Sequence, residues 1–219
     1  LISCVFVIGA IGFFVGIFVT SERYLAEMSF ASAIRADRDG ASIQLVVEDL
    51  DRAATLNRFD DRYFRTLSEA LLLRVDQQMK NISGADQLTI ESREYVQALV
   101  AASVNAGVRA TNLSPNNSTN WLVRGRVYKE LTSVLPNAAE FAVASHEQAV
   151  LLEPVNPAHW NELGKTYLIS AEQHRQLTVA DNEQVANQAK QNLELYLNKA
   201  EQAFLKATNL KPNYATAHF

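Results

Sequence analysis

The chain has 219 residues and a net charge of −4, so its overall charge gives no indication of nucleic-acid binding. Its single cysteine, Cys4, excludes an internal disulfide and a metal site built from several cysteines. With eight glycines and five prolines in the whole chain, tight turns between strands are scarce and long helices are expected. The composition therefore predicts an all-α fold.

The first segment, residues 1–20, is apolar and carries no charged side chain. At about 1.5 Å per residue it spans about 30 Å, the thickness of a membrane's hydrocarbon core. The alternative is a cleaved signal peptide, whose apolar region is about 7–15 residues long and precedes a small-residue cleavage site. Here Ser21, Glu22 and Arg23 follow instead. We therefore predict a transmembrane helix at 1–20 and a membrane location, with the orientation left open.

Downstream, three segments end alike, in an alanine followed five residues later by a proline. These pairs are Ala110 and Pro115, Ala149 and Pro154, and Ala207 and Pro212. The first two prolines are followed at fixed spacing by tryptophan, glycine and tyrosine. These residues are Trp121, Gly125 and Tyr128, and then Trp160, Gly164 and Tyr167. The spacing places all three residues of each set on one face of a helix.

This pattern resembles the tetratricopeptide repeat, a helix pair with W-x-x-L-G-x-x-Y on its first helix. In the last repeat every position of the motif is filled: Trp160, Leu163, Gly164, Tyr167, Ala200, Phe204, Ala207 and Pro212. The preceding repeat departs from it at Arg124, where the motif has leucine. The resemblance implies an α-solenoid of antiparallel helix pairs over residues 21–219. Its approximate pairs are 21–56, 61–112, 118–152 and 157–210, with a fifth starting at 214.

Local signals refine these boundaries. Residues 179–210 contain few helix breakers and predict one long helix. Asp60 or Asp61 is expected to cap the helix that carries Phe64, and Ser118 or Thr119 to cap the next first helix. Because the first residue is not Met and the last residues begin another helix, we expect a longer parent chain.

A narrower resemblance involves the junction between the apolar segment and the repeats. Together with R-Y-F-R-T-L-S-x-A-L-L at residues 62–72, it is similar to the C-terminal region of bacterial O-antigen ligase-like membrane proteins. This resemblance implies a non-catalytic repeat tail of a polytopic protein of cell-surface glycan assembly. The glycosyl-transferring residues of that family lie in upstream loops, so none is assigned to this chain.

The sequence contains no recognisable catalytic constellation. Its histidines, which form no metal-binding motif, are His146, His159, His174 and His218. It contains neither a nucleophile elbow nor a glycine-rich phosphate loop. We therefore predict a protein that is not an enzyme and has no catalytic residue, metal or cofactor.

The repeat resemblance also implies a candidate binding site. In tetratricopeptide repeats the first helices line a concave groove through their second, fifth, ninth and twelfth positions. The groove residues predicted here are Arg62, Arg65, Leu122, Arg126, Lys129, Asn161 and Lys165. Of the twelve positions of this kind in three repeats, five are basic and one, Glu69, is acidic. This pattern is typical of a solvated helix face; the alternative is a groove that binds a protein or peptide partner with an acidic segment. The predicted function is a membrane-anchored scaffold for protein–protein interaction; the alternatives are the glycan-assembly tail described above and a small binding protein with a cleaved signal.

Overall fold

The computed structural model describes residues 2–83 and 89–213, with side chains from residue 9 in the first helix and up to residue 82 in the third. All regular structure in these ranges is helical and none is strand, which confirms the predicted all-α class. The helices are α1 (Ile2–Arg38), α2 (Ile43–Leu56), α3 (Asp61–Ser83), α4 (Ile90–Leu113), α5 (Ser118–Glu130), α6 (Ala138–Leu152), α7 (Pro157–Leu177) and α8 (Glu183–Leu210). The fifth pair predicted at 214 lies outside the described residues.

The chain divides into two compact units, Leu1–Ala106 and Gly107–Phe219. In the first unit α1 packs against α2, and α2 packs against α3. In the second unit α5 packs against α6, α6 against α7, and α7 against α8. Each neighbouring pair is connected by a short loop, so consecutive helices form the contacts expected of helix-pair repeats.

Helix α1 continues without a break from the apolar segment into the first helix pair. Its second half buries Ala26 and Ala33 completely, and the packed neighbour α2 buries Leu50. After α1 the chain turns at Gly40, whose φ of 73° is in the left-handed region that favours glycine. Ser42 then caps α2, because its side chain accepts a hydrogen bond from the amide of Leu45.

The first half of α1 has no such packing over its described side chains. Its large apolar residues are exposed: Ile11, Phe13, Phe14, Val15, Ile17, Phe18 and Val19. Of the helices in the described ranges, none is both long and apolar enough to cross a membrane. The transmembrane helix predicted at 1–20 includes residues 1–8, whose side chains lie outside the described residues.

Two buried serines hold α3 and α4 together. Ser68 Oγ donates to the carbonyl oxygen of Ser103 at 2.7 Å, and Ser103 Oγ donates to that of Ser68 at 2.8 Å. Both serines are fully buried, so each hydroxyl must find its partner within the protein. At the start of α3, Asp60 Oδ1 accepts from the amide of Arg62 at 3.0 Å, which confirms the predicted cap.

The second unit has its core between α6, α7 and α8. The cluster consists of Val143, Val150, Leu163, Tyr167, Ala200 and Ala203, with Trp160, Tyr196 and Phe204 packed against it. Four motif residues of the last repeat, Trp160, Tyr167, Ala200 and Phe204, thus meet in this core.

The last helix pair is longer than the one before it. Helices α7 and α8 have 21 and 28 residues, against 13 and 15 for α5 and α6. The prediction of one long helix was wrong at its start, because α8 begins at Glu183 rather than at residue 179. Asn182 sets this start, since its side chain accepts from the amides of Gln184 and Val185.

We expect Ala207→Glu to destabilise the second unit by about 3 kcal/mol or more, because Ala207 is fully buried and a carboxylate there would lack a partner. The matched control is Leu205→Glu on the same helix, where Leu205 is 53% exposed. Urea unfolding followed by circular dichroism measures both. Equal free energies of unfolding for the two variants would contradict the packing of α8.

Candidate functional site

A tryptophan near the start of α5 and another near the start of α7 make the same contact. Trp121 Nε1 donates to the carbonyl oxygen of Pro115 at 2.7 Å, and Trp160 Nε1 donates to that of Pro154 at 2.8 Å. Each indole thus reaches back over the loop that precedes its own helix. The six-residue spacing from proline to tryptophan therefore fixes how the chain enters each first helix.

Asparagines, rather than the predicted hydroxyl residues, cap these two helices. Asn117 Oδ1 accepts from the amide of Thr119, and Asn156 makes the equivalent contact at the start of α7. The prediction of Ser118 or Thr119 as the cap was therefore wrong. Ser118 Oγ instead donates to Glu153 Oε1 at 2.5 Å, a hydrogen bond that lowers the pKa of Glu153. This bond joins the start of α5 to the loop after α6.

The motif glycines lie directly beneath a ring of the second helix. A Cβ atom added to Gly125 would lie 2.6 Å from the ring of His146, and one added to Gly164 would lie 2.7 Å from the ring of Phe204. Real Cβ atoms essentially never come this close, so a larger residue at either position would force the ring above it to move. His146 and Phe204 each lie three residues before the motif alanine of their helix, so His146 occupies the aromatic position of its repeat.

His146 is a buried polar group shared by three helices. Its Nδ1 lies 2.8 Å from Thr166 Oγ1 of α7, and its ring packs on Gly125 of α5. Burial lowers the pKa of His146 to about 4, and the positive charge of Lys129 acts in the same direction. The imidazole is therefore neutral at pH 7.

Next to this histidine, two lysines converge on one carboxylate. Lys129 Nζ lies 3.0 Å from Glu162 Oε2, and Lys165 Nζ lies 2.9 Å from Glu162 Oε1. Burial alone would raise the pKa of Glu162, but the hydrogen bonds from Lys165 and Lys129 lower it to about 2. Glu162 therefore stays ionised and links α5 to α7.

The predicted groove residues of α3 lie in the first unit, where both are ion-paired. Arg62 Nη2 is 2.6 Å from Glu27 Oε1 of α1 and 2.7 Å from Asp60 Oδ2. Arg65 Nη1 is 3.7 Å from Asp61 Oδ2, one turn earlier on the same helix. Their positive charges are thus balanced by carboxylates of the chain, which reduces what they offer to an acidic partner.

The other predicted groove residues lie in the second unit and differ in exposure. Arg126 is exposed, Leu122 is partly buried, and the side chain of Lys165 is 41% exposed. The side chain of Lys129 is only 12% exposed and is largely covered where it meets Glu162. Asn161 is buried, which makes its side chain part of the interior. We define the α5–α7 surface as Leu122, Arg126, Lys129, Glu162 and Lys165.

Glu162 and His146 are not among the residues that the repeat motif predicts for this site. A signal for Glu162 exists, because it precedes Lys165 by three residues on one helix face, a spacing that allows an ion pair. His146 could be found by aligning it with Phe204 through the motif alanines. The contact between Lys129 and Glu162 joins residues 33 positions apart and has no local signal.

The centre of the α5–α7 surface is one carboxylate between two lysines. In the part of the chain that the structure describes, no group of three or more histidine, cysteine, aspartate or glutamate side chains could hold a metal ion. Glu162 of α7 pairs with Lys129 of α5 across the two helices and with Lys165 of its own helix. Such an arrangement can bind a partner by exchanging internal ion pairs for external ones.

Comparison with known proteins supports the fold. No protein-family model matches the chain, and no curated protein matches it either. The solved structure of the MamA RS-1 ArsTM double mutant is 17% identical, with a TM-score of 0.54 over 88% of this chain and 79% of that chain. A thermophilic TPR protein from Thermus thermophilus, TTC0263, is 15% identical, with a TM-score of 0.42 over 88% of this chain and 94% of that one.

With its helix pairs, motif glycines and repeated tryptophan contacts, the chain has a tetratricopeptide-like, all-helical fold. This is the class of fold that the repeat motif predicted.

We expect the free energy of unfolding to fall as the pH is lowered from 6.5 to 4. The pKa of His146 is lowered from 6.5 to about 4 in the folded protein, so the unfolded chain binds more protons in this window. The stabilisation is complete above pH 6.5, and about 3 kcal/mol is lost by pH 4. Glu162 adds a further loss from pH 4.5 to about 2, where its own carboxylate is protonated.

The matched variant is His146→Phe, which copies the arrangement of Phe204 over Gly164. In this variant the free energy of unfolding should depend much less on pH between 6.5 and 4. The loss of stability at lower pH should remain. Urea unfolding at a series of pH values measures both. The same slope in wild type and variant above pH 4.5 would exclude His146 as the source.

Proposed function

We propose that the chain is a non-enzymatic interaction module that binds a protein or peptide through the α5–α7 surface. The observation that carries this proposal is the pairing of Lys129 on α5 with Glu162 on α7, at 3.0 Å. It places the two first helices side by side, with Arg126 exposed beside them and Leu168 also exposed on α7. A peptide lying across both helices would contact charged and apolar groups together.

The charge of this surface supports an acidic partner. Two cations, Lys129 and Lys165, contact the half-buried carboxylate of Glu162, and a third, Arg126, is exposed on α5. Glu130 lies 3.9 Å from Lys129. A carboxylate of the partner would add a charge-assisted hydrogen bond to lysines that Glu162 already positions. The surface is thus locally positive in a chain of net charge −4.

Peptides selected on the intact chain from a randomised display library should be enriched in Asp and Glu. Arg126→Gln combined with Lys165→Gln should weaken their binding about tenfold or more, because both side chains are on the proposed surface. The control is Lys190→Gln combined with Lys206→Gln, two exposed lysines of α8 that give the same change in net charge. Isothermal titration calorimetry measures the affinities. Equal loss in both double variants would overturn the proposed site.

We further propose that residues 1–20 attach the module to a membrane. Support comes from the absence of charged residues in this segment and from the exposed side chains between Ile11 and Val19. A helix with this many exposed apolar side chains is stabilised by transfer from water into lipid. The role as a glycan-assembly tail stays a prediction.

The full chain should float with lipid vesicles and resist extraction by alkaline carbonate, whereas a chain that starts at residue 21 should stay soluble. Sucrose-gradient flotation with phosphatidylcholine vesicles compares the two. Recovery of the full chain in the soluble fraction would exclude membrane attachment. A shortened product that begins near Ser21 would support the cleaved signal instead.

A further inference from the structure

A cleft of about 280 Å³ lies in the first unit, where the apolar half of α1 ends. One wall comes from α1 and the other from the end of α2 and the turn that leads to α3. The lining residues are Val19, Glu22, Arg23, Thr55, Leu56, Asn57, Arg58 and Phe59. The cleft is therefore built from segments more than thirty residues apart, at one end of the first helix pair.

The cleft combines positive charge with exposed aromatic side chains. Arg23 and Arg58 line it together with one acid, Glu22. Phe59 is 69% exposed, and the guanidinium carbon of Arg58 lies 5.3 Å from the centre of its ring. Tyr24, next to Arg23 on α1, is 65% exposed. Large aromatic side chains this exposed indicate a surface that meets a partner with apolar character.

The order of residues along α1 indicates what that partner is. The side chains from Ile11 to Val19 are exposed and apolar, and Arg23 follows Val19 after about 6 Å of helix. After the apolar side chains come a cation and an aromatic ring, Arg23 and Tyr24, and both kinds of group are enriched where the interior of a bilayer meets its headgroups. The turn carrying Arg58 and Phe59 lies at this same level, because it lines the cleft together with Val19 and Arg23.

We propose that this cleft binds the phosphate-bearing headgroup of an anionic phospholipid at the membrane surface. Arg23 and Arg58 hold the phosphate, and Phe59 and Tyr24 lie at the level where headgroups meet acyl chains. The site thus holds the first helix pair against the surface of the bilayer. This inference rests on the proposed membrane attachment of residues 1–20 and adds a specific lipid contact to it.

The proposal is tested by measuring how deeply residue 59 lies in the bilayer of vesicles that contain the full chain. Phe59→Trp places a fluorophore at the cleft, and Leu45→Trp places one at the opposite end of α2, where Leu45 is 54% exposed. Phosphatidylcholine brominated near the start of its acyl chains should quench the first and not the second, after subtraction of the signal from Trp121 and Trp160 in the unmodified chain. Quenching that is the same in both variants would overturn the proposal.

The charge of the headgroup is tested in the same Phe59→Trp protein. Brominated phosphatidylglycerol diluted into phosphatidylcholine should quench more strongly than its share of the lipid predicts. Arg23→Gln or Arg58→Gln should each lower this preference about fivefold, the effect of one cation near an anionic surface. The control is Arg38→Gln, an exposed arginine in the last turn of α1. An unchanged preference in both cleft variants would overturn the phosphate contact.

Flotation and quenching distinguish a failure of membrane attachment from a failure of the lipid site alone. If the full chain does not float with vesicles, membrane attachment and the lipid site are both wrong. If it floats but the fluorophore at Phe59→Trp stays unquenched, attachment stands and the cleft is not at the membrane surface.

Discussion

The close approach of the two helices in a pair is the constraint on which the rest of the structure depends. It requires that the first helix carry no large side chain where the second helix crosses it. Gly125 meets this requirement beneath His146, and Gly164 meets it beneath Phe204. In the first unit Ser68 takes a comparable role, because its hydroxyl reaches the backbone of Ser103 at 2.7 Å. Helix pairs that have different side chains at their crossing thus make the same close approach.

The identity of the ring at this crossing decides the character of the adjacent surface. Phe204 joins a core of alanines and aromatic residues, where no polar partner is needed. His146 instead brings a polar ring into the interior, where Thr166 bonds to it at 2.8 Å. Lys129 and Glu162 pair beside it, and their charges are what distinguishes the α5–α7 surface from an ordinary repeat contact. The candidate site therefore lies beside a histidine that occupies the aromatic position of the motif.

The helix pairs could be predicted from the sequence because their signals are local. The spacing from Pro115 to Trp121 corresponds to a single hydrogen bond, and the motif from Trp121 to Tyr128 covers about two turns of helix. For the site, the sequence could predict which positions belong to it but not which residues their side chains contact. That Asn161 is buried and that Lys129 meets Glu162 depends on how α5 and α7 pack, which no local pattern contains. The groove prediction did not include the carboxylates that pair with its cations. These carboxylates lie on other helices or outside the motif positions.

Helix α1 is one uninterrupted rod from its apolar segment to Arg38. A tilt at one end of such a helix moves its other end, since bending an α-helix instead would break backbone hydrogen bonds. The length from residue 20 to residue 38 is about 27 Å at 1.5 Å per residue, so a tilt of about 10° would swing its far end through about 5 Å. With its apolar end held in lipid, α1 would act as a lever that converts changes in bilayer thickness into movement of the helices packed on it.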